Sequence, residues 1–136
     1  MVSECPFCRI SQGNEPAFIV HSTEHVIGFL PLRMEAPGHT VVAPRDHVED
    51  MYDAASPQLM TLIEEVQVIA VRYRSQFGAT GFNLLHASGR DAQQSVRHLH
   101  VHLIPRWPDD GLDTWPGFPL VEIDRQHEYE RLTLLR

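Results

Sequence analysis

Nowhere in its 136 residues does the chain hold an apolar run near the ~20 needed to cross a bilayer as a helix. The opening Met1-Val2-Ser3-Glu4-Cys5 lacks the basic block and apolar block of a secretory leader. The chain therefore reads as soluble and cytoplasmic, with no membrane partner. Basic side chains are also scarce, 11 against 18 acidic ones, for a net charge of −7. A field of that sign opposes a non-specific grip on DNA or RNA, so a nucleic acid polymer is not the expected partner. It leaves room for a small phosphate ligand held by local groups. Cysteine is scarcer still: two, spaced Cys5-Pro6-Phe7-Cys8. In a reducing compartment this spacing points to a metal site or a redox pair rather than a structural staple.

No repeat, low-complexity tract or internal linker divides the chain, and its length suits one domain. Pro105, Pro108, Pro116 and Pro119 mark where residues 1–107 give way to an extension, 108–136, expected to pack on the same domain. Residues 17–20, 26–30 and 40–43 are short β-branched or aromatic runs between polar and Pro/Gly breaks, and read as strands. A long helix is expected after Ser56-Pro57, with Ser56 as cap and Met60, Ile63, Val66, Ile69, Ala70, Tyr73 and Phe77 as its buried face, stopped by Gly78. A shorter helix is expected from Asp46 to Ala54. Residues 81–86 and 96–104 complete about five strands, the last ended by Pro105. The pattern predicts an α+β fold, an antiparallel β-meander with one long and one short helix.

What the chain has in abundance is histidine, nine in all, three of them in His98-Leu99-His100-Val101-His102. In a strand this alternation puts the three imidazoles on one face and sends Leu99, Val101 and Leu103 into the core. From His98 to His102 a strand rises roughly 13 Å, too far for the outer rings to share one ion with ~2.1 Å bonds. Labour is expected to be divided among them, although a neighbouring pair could still chelate a catalytic ion.

Cys5-x-x-Cys8, Pro37-Gly38-His39, Pro44-x-x-His47, Gly81-Phe82-Asn83, Gln94-Ser95-Val96 and His98-x-His100-x-His102-x-x-Pro105-Arg106 occur in this order. Together, over roughly residues 3 to 107, they resemble the histidine triad (HIT) family of nucleotide hydrolases and transferases. The resemblance implies a HIT-like antiparallel sheet with a long helix, in a homodimer whose sheets join across the two-fold axis. It implies that His100 attacks the α-phosphorus of a nucleotide, with His102 and His39 stabilising the developing charge. A neutral imidazole suits that task if one nitrogen donates, for instance to a backbone carbonyl, and the other keeps its lone pair. By the same resemblance Gln94, Ser95 and Asn83 hold substrate, and Phe7, Ile10, Phe29 and Leu32 line a base pocket. Cys5, Cys8, His47 and His98 would then hold a structural zinc.

The chain departs from the family pattern at Pro31, where many relatives place an Asp that accepts from the ribose hydroxyls. It departs again at Ala87 and Ser88, where relatives commonly have Asn or Gln followed by Gly, and at Gln93, where Gly precedes the glutamine. Arg90, Arg97 and Arg106 supply local positive charge. The reading is a nucleotide-binding phosphohydrolase or nucleotidyltransferase acting on a phosphoramidate or a dinucleoside polyphosphate through a nucleotidyl-histidine. The alternatives are a zinc hydrolase using the histidine strand, and a zinc-stabilised nucleotide- or protein-binding module with little turnover.

Overall fold

The computed structural model describes residues 4–115, 117–119 and 121–134, so Pro116 of the proline-rich tail and residues 1–3 lie outside the described residues. Helix α1 (Pro6–Ser11) precedes strands β1 (Ile19–Ser22), β2 (Val26–Phe29) and β3 (Thr40–Pro44). Helix α2 (Ser56–Phe77), strands β4 (Gly81–Leu85) and β5 (Val101–Arg106), and helix α3 (Arg125–Thr133) follow. The strands make one antiparallel sheet in the order β1-β2-β3-β5-β4. It is a meander of three strands followed by a pair whose second member docks on β3, leaving β4 at the edge. The fold is α+β, as the hydrophobic pattern indicates.

The two-residue period of the strands divides the core. Val26, Val42, Val101 and Leu103 face α2 and pack with its Leu62, Val66, Ile69 and Tyr73. Each such side chain contributes about 1.5–3 kcal/mol on burial. Ile27, Phe29, Val41 and Ala43 face the other way and pack with Phe7 and Ile10 of α1. Because Phe29 lies opposite Val41 and Val41 opposite His102, His102 emerges on the α1 face.

Several local expectations are corrected. The cap of α2 is Ala55, not Ser56; the Gln58 side chain accepts from the Ala55 N–H at 3.0 Å, and Gly78 ends the helix with φ 70°. The buried stripe is Leu62, Val66, Ile69 and Tyr73, while Met60, Ile63 and Phe77 are exposed. Strand β1 starts two residues late and carries a bulge between Ile19 and His21. Residues 46–54 form bends and a single turn instead of a helix: Asp50 Oδ1 caps the turn by accepting from the Tyr52 and Asp53 N–H groups, and the turn closes once, from the Ala54 N–H to the Asp50 carbonyl, before α2 begins. The short helix is α1, where Pro6 occupies the first turn after Cys5. Strand β5 begins at Val101 and runs through Pro105 to Arg106, beyond the end of its pairing with β3 at Leu103.

Arg106 ties residues 107–114 to the β4–β5 pair. Its guanidinium grips Asp110 at 2.8 and 2.9 Å and also donates to Asn83 Oδ1, Thr114 Oγ1 and the Leu112 carbonyl. This holds the Asp110 carboxyl well below the usual carboxylate range. Trp107 Nε1–H reaches the Phe77 carbonyl at the end of α2 at 3.0 Å. Farther on, α3 buries no residue.

Candidate functional site

The turn into β3 is built on Gly38, whose φ of +75° and whose missing Cβ, which would lie 2.6 Å from Pro105 Cγ, admit no other residue. It delivers His39 beneath the α1 face. The Glu35 N–H donates to His39 Nδ1 at 3.1 Å, so a neutral His39 carries its proton on Nε2. That proton points at His102 Nδ1, 2.9 Å away, which leaves the His102 proton on its own Nε2. Backbone, His39 and His102 thus form one directed chain ending in an N–H donor. Burial first, then His100, His39 and His86, push the His102 pKa down to about 4, and burial lowers that of His39. Both rings are neutral near pH 7. His39 stands behind His102 and does not line the cavity described below.

His98, in a bend, and His100 lie just before β5 rather than in the ladder. His100 Nδ1–H donates to the His98 carbonyl at 2.7 Å, so its Nε2 lone pair is free. Burial lowers the His100 pKa, the bond to the His98 carbonyl opposes this, and His86 adds to the lowering. The His100 and His102 rings stand 5.1 Å apart, nearly perpendicular.

His100 and His102 line a cavity of about 680 Å³ together with Phe7, Ile10, Phe29, Leu32 and Ser95. Pro31 and Glu15 are among its other lining residues, and Glu15 is the only formally charged side chain among the described residues that line it. Two expected substrate residues are engaged elsewhere. Asn83 accepts from Arg106, and Gln94 clamps its loop by accepting from the Gly89 N–H and donating to the Glu49 and Val96 carbonyls. Arg97 pairs with Glu49 and Arg106 with Asp110, so neither offers an unpaired charge to a phosphate.

Cys5, Cys8, His47 and His98 place one ligand atom each within 4.8 Å of one another. His98 Nδ1 lies 3.3 and 3.5 Å from the Cys5 and Cys8 sulfurs, His47 Nδ1 lies 3.4 Å from Cys8 Sγ, and the two nitrogens are 3.2 Å apart. A tetrahedron with zinc-like bond lengths has S–N edges of about 3.6 Å and an N–N edge of about 3.3 Å. The four donors therefore fit one tetrahedral metal ion. His98 is prepared for that role, since its Nε2–H donates to the Pro44 carbonyl at 2.7 Å and leaves Nδ1 as a lone pair. Burial and the Cys5 sulfur push the Cys8 thiol up to about 11. Phe7 of α1 touches both sites, its ring 5.8 Å from that of His98 and 5.0 Å from that of His100.

Sequence reasoning passed over His86, at the end of the fourth predicted strand. Its Nδ1 lies 2.8 Å from the His100 carbonyl and its Nε2 lies 2.6 Å from Ser88 Oγ. A histidine at a strand end beside the triad was the available signal.

The HIT domain family model matches residues 12–109, and the chain belongs to this family. An uncharacterized HIT-like protein of Methanocaldococcus jannaschii is 37% identical over 107 residues, 79% of this chain and 82% of that protein. The adenosine 5′-monophosphoramidase of Schizosaccharomyces pombe is 29% identical over 118 residues, 85% of this chain and 86% of that protein. A solved zinc-bound histidine triad family protein from Mycobacterium smegmatis matches with a TM-score of 0.79 at 28% identity, covering 100% of each chain.

Proposed function

We propose that the protein hydrolyses or transfers nucleotides by cleaving at the α-phosphate through a nucleotidyl-histidine on His100. The observation that carries the reading is the fixed tautomer of His100: its Nδ1 proton is committed to the His98 carbonyl while Nε2 is free beside the His102 donor. The His100 Nε2 lone pair forms the N–P bond to His100, and in a phosphoramidate the substrate's own P–N bond, protonated on its nitrogen, breaks with its electron pair to release neutral ammonia or amine. The imidazolium so formed keeps its hydrogen bond to the His98 carbonyl. His102 Nε2–H donates to a phosphoryl oxygen, a role open to a neutral imidazole. Water then attacks phosphorus, losing one proton and releasing neutral His100 and the nucleotide. His39 acts as a positioning residue for His102.

The cysteine–histidine cluster is the site of a structural zinc, held by Cys5, Cys8, His47 and His98. Such an ion supplies folding energy and, with all four positions taken by protein, no Lewis acid for the substrate. Its claim on His98 also argues against a catalytic ion shared along the histidine strand.

The sparse charge of the cavity favours a nucleotide with one reacting phosphate over a dinucleoside polyphosphate, and one relative's name, monophosphoramidase, agrees with this. A homodimer is supported by β4, an edge strand with Phe82 50%, Leu84 37% and Leu85 38% exposed, beside the exposed Ile63 and Val71 of α2. Bare apolar edges of this kind are ordinarily covered. The protein is assigned to the cytoplasm.

The discriminating assay sets adenosine phosphoramidate and its 2′-deoxy analogue against diadenosine tetraphosphate. The phosphoramidate is expected to show at least about tenfold higher kcat/KM, equivalent to about 1.4 kcal/mol. Because Pro31 lines the cavity where an acceptor would hold the ribose, the deoxy analogue is expected within a few-fold. A bond from ribose to a charged acceptor, worth roughly 1.5–3 kcal/mol, would separate the pair by tenfold or more. Tight nucleotide binding without turnover of any of the three would support the binding-module reading instead.

A further inference from the structure

The last rung of the β4–β5 ladder pairs Leu85 with His102, so two residues farther on Ala87 would face His100. That rung is never made. The chain leaves the sheet for the loop that holds Gly89, at φ 92°, and the 3₁₀ turn Arg90–Ala92. The His100 carbonyl is served by a side chain, since His86 Nδ1 lies 2.8 Å from it. A carbonyl can only accept, so Nδ1 carries a proton, and a neutral His86 keeps its lone pair on Nε2. The Ser88 hydroxyl, 2.6 Å away, must then donate to Nε2, and Ser88 Oγ itself accepts from the Met51 N–H at 3.0 Å. Met51, Ser88, His86 and His100 form an unbroken directed chain that fixes one His86 tautomer.

We propose that His86 is a positioning residue that aims His100. The inference rests on the reading of His100 as nucleophile. Two bonds pin that residue: its ring is held through Nδ1 by the His98 carbonyl, and its own carbonyl is held by His86. The first sets the tautomer and the second sets the backbone from which the ring projects. Where the ladder ends, no strand partner supplies the second. His86 does not line the cavity, so it acts on the attack and not on the grip of the nucleotide. Misplacement of a reacting group by 1 Å costs up to about 10²-fold in rate, and loss of one of two pins is expected to cost roughly 10–30-fold.

The test is single-turnover formation of the His100 adduct from adenosine phosphoramidate, with AMP affinity and melting temperature measured alongside. His86→Ala is expected to slow adduct formation by roughly 10–30-fold with AMP affinity within about twofold of wild type. His86→Asn, whose amide N–H stands at the same distance from Cα as Nδ1, is expected to recover most of the loss, and His86→Leu none of it. Ser88→Ala keeps His86 but frees its tautomer, and an intermediate loss is expected. Should the alanine variant fail to fold, the Asn and Ser88→Ala variants read the same contact. An unchanged rate in folded His86→Ala, or an Asn variant that melts like wild type yet stays as slow as Leu, overturns the proposal. A wild-type protein that forms no adduct overturns the His100 reading itself, and shows this before any variant is made.

Discussion

Single side chains here work through where their protons sit rather than through charge. The Glu35 N–H, His39 and His102 are arranged head to tail, and the cavity they serve carries no cation among its described lining residues. Protonating His102 would break this order by turning its Nδ1 from acceptor to donor against His39. The consequence is a stability that depends on acid. With a folded pKa of about 4 against 6.5 unfolded, His102 favours the folded state fully above 6.5 and loses that contribution as pH falls toward 4. Between pH 7 and pH 5 the loss amounts to about 2 kcal/mol. His39 and His100, depressed by burial, act with the same sign. Denaturant titrations at the two pH values should show a shallower fall for His102→Gln than for wild type. An equal fall in both would mean that His102 is not held neutral by its neighbours.

Among the elements, α1 has the most to explain, because six residues carry Cys8 of the metal cluster and Phe7 and Ile10 of the nucleotide cavity. Metal analysis of the purified protein is expected to find about one zinc per chain. Cys8→Ser is expected to lower the melting temperature by about 10 °C or more while the protein that remains folded keeps most of its rate. Chelation that stopped turnover at once and left melting unchanged would instead place the ion in catalysis. This element was illegible in the sequence: six residues give too few turns for a periodic pattern, and its signal was only Pro6 following a capping Cys5. The sheet and α2 were legible because alternation and three-to-four spacing persist over enough residues to be read. The phase of α2 was less so, since exposed Met60, Ile63 and Phe77 are as apolar as the buried Leu62. The alternation of the triad put three rings on one face and the resemblance to the family singled out His100 and His102, yet the placement of His39 behind His102 depends on the Gly38 turn and the Glu35 N–H. The roles of Gln94 and Asn83 depend on contacts with Glu49 and Arg106, 45 and 23 residues away in sequence. Gln93 sits at φ 67°, so the glycine common among relatives at this place has a backbone reason that the residue here must bear as strain.

For the molecule as a whole, the net charge of −7 and a cavity with no cation among its described lining residues oppose a non-specific hold on polyanions, while the apolar edge of β4 asks for cover. Sedimentation at micromolar concentration should find a dimer. Leu84→Arg, which puts a charge on the exposed face of the edge strand, should give a monomer whose fold by circular dichroism is intact; a dimer of unchanged stability would move the interface elsewhere. Whether His100 carries the nucleotide is read by mass spectrometry of a rapidly alkaline- or detergent-quenched reaction with adenosine phosphoramidate, since an N–P bond to imidazole is lost in acid. The expected result is an adenylyl adduct that maps to His100, absent from a folded His100→Gly variant whose turnover has fallen by several orders of magnitude. Full turnover in His100→Gly, or an adduct on another residue, would contradict it.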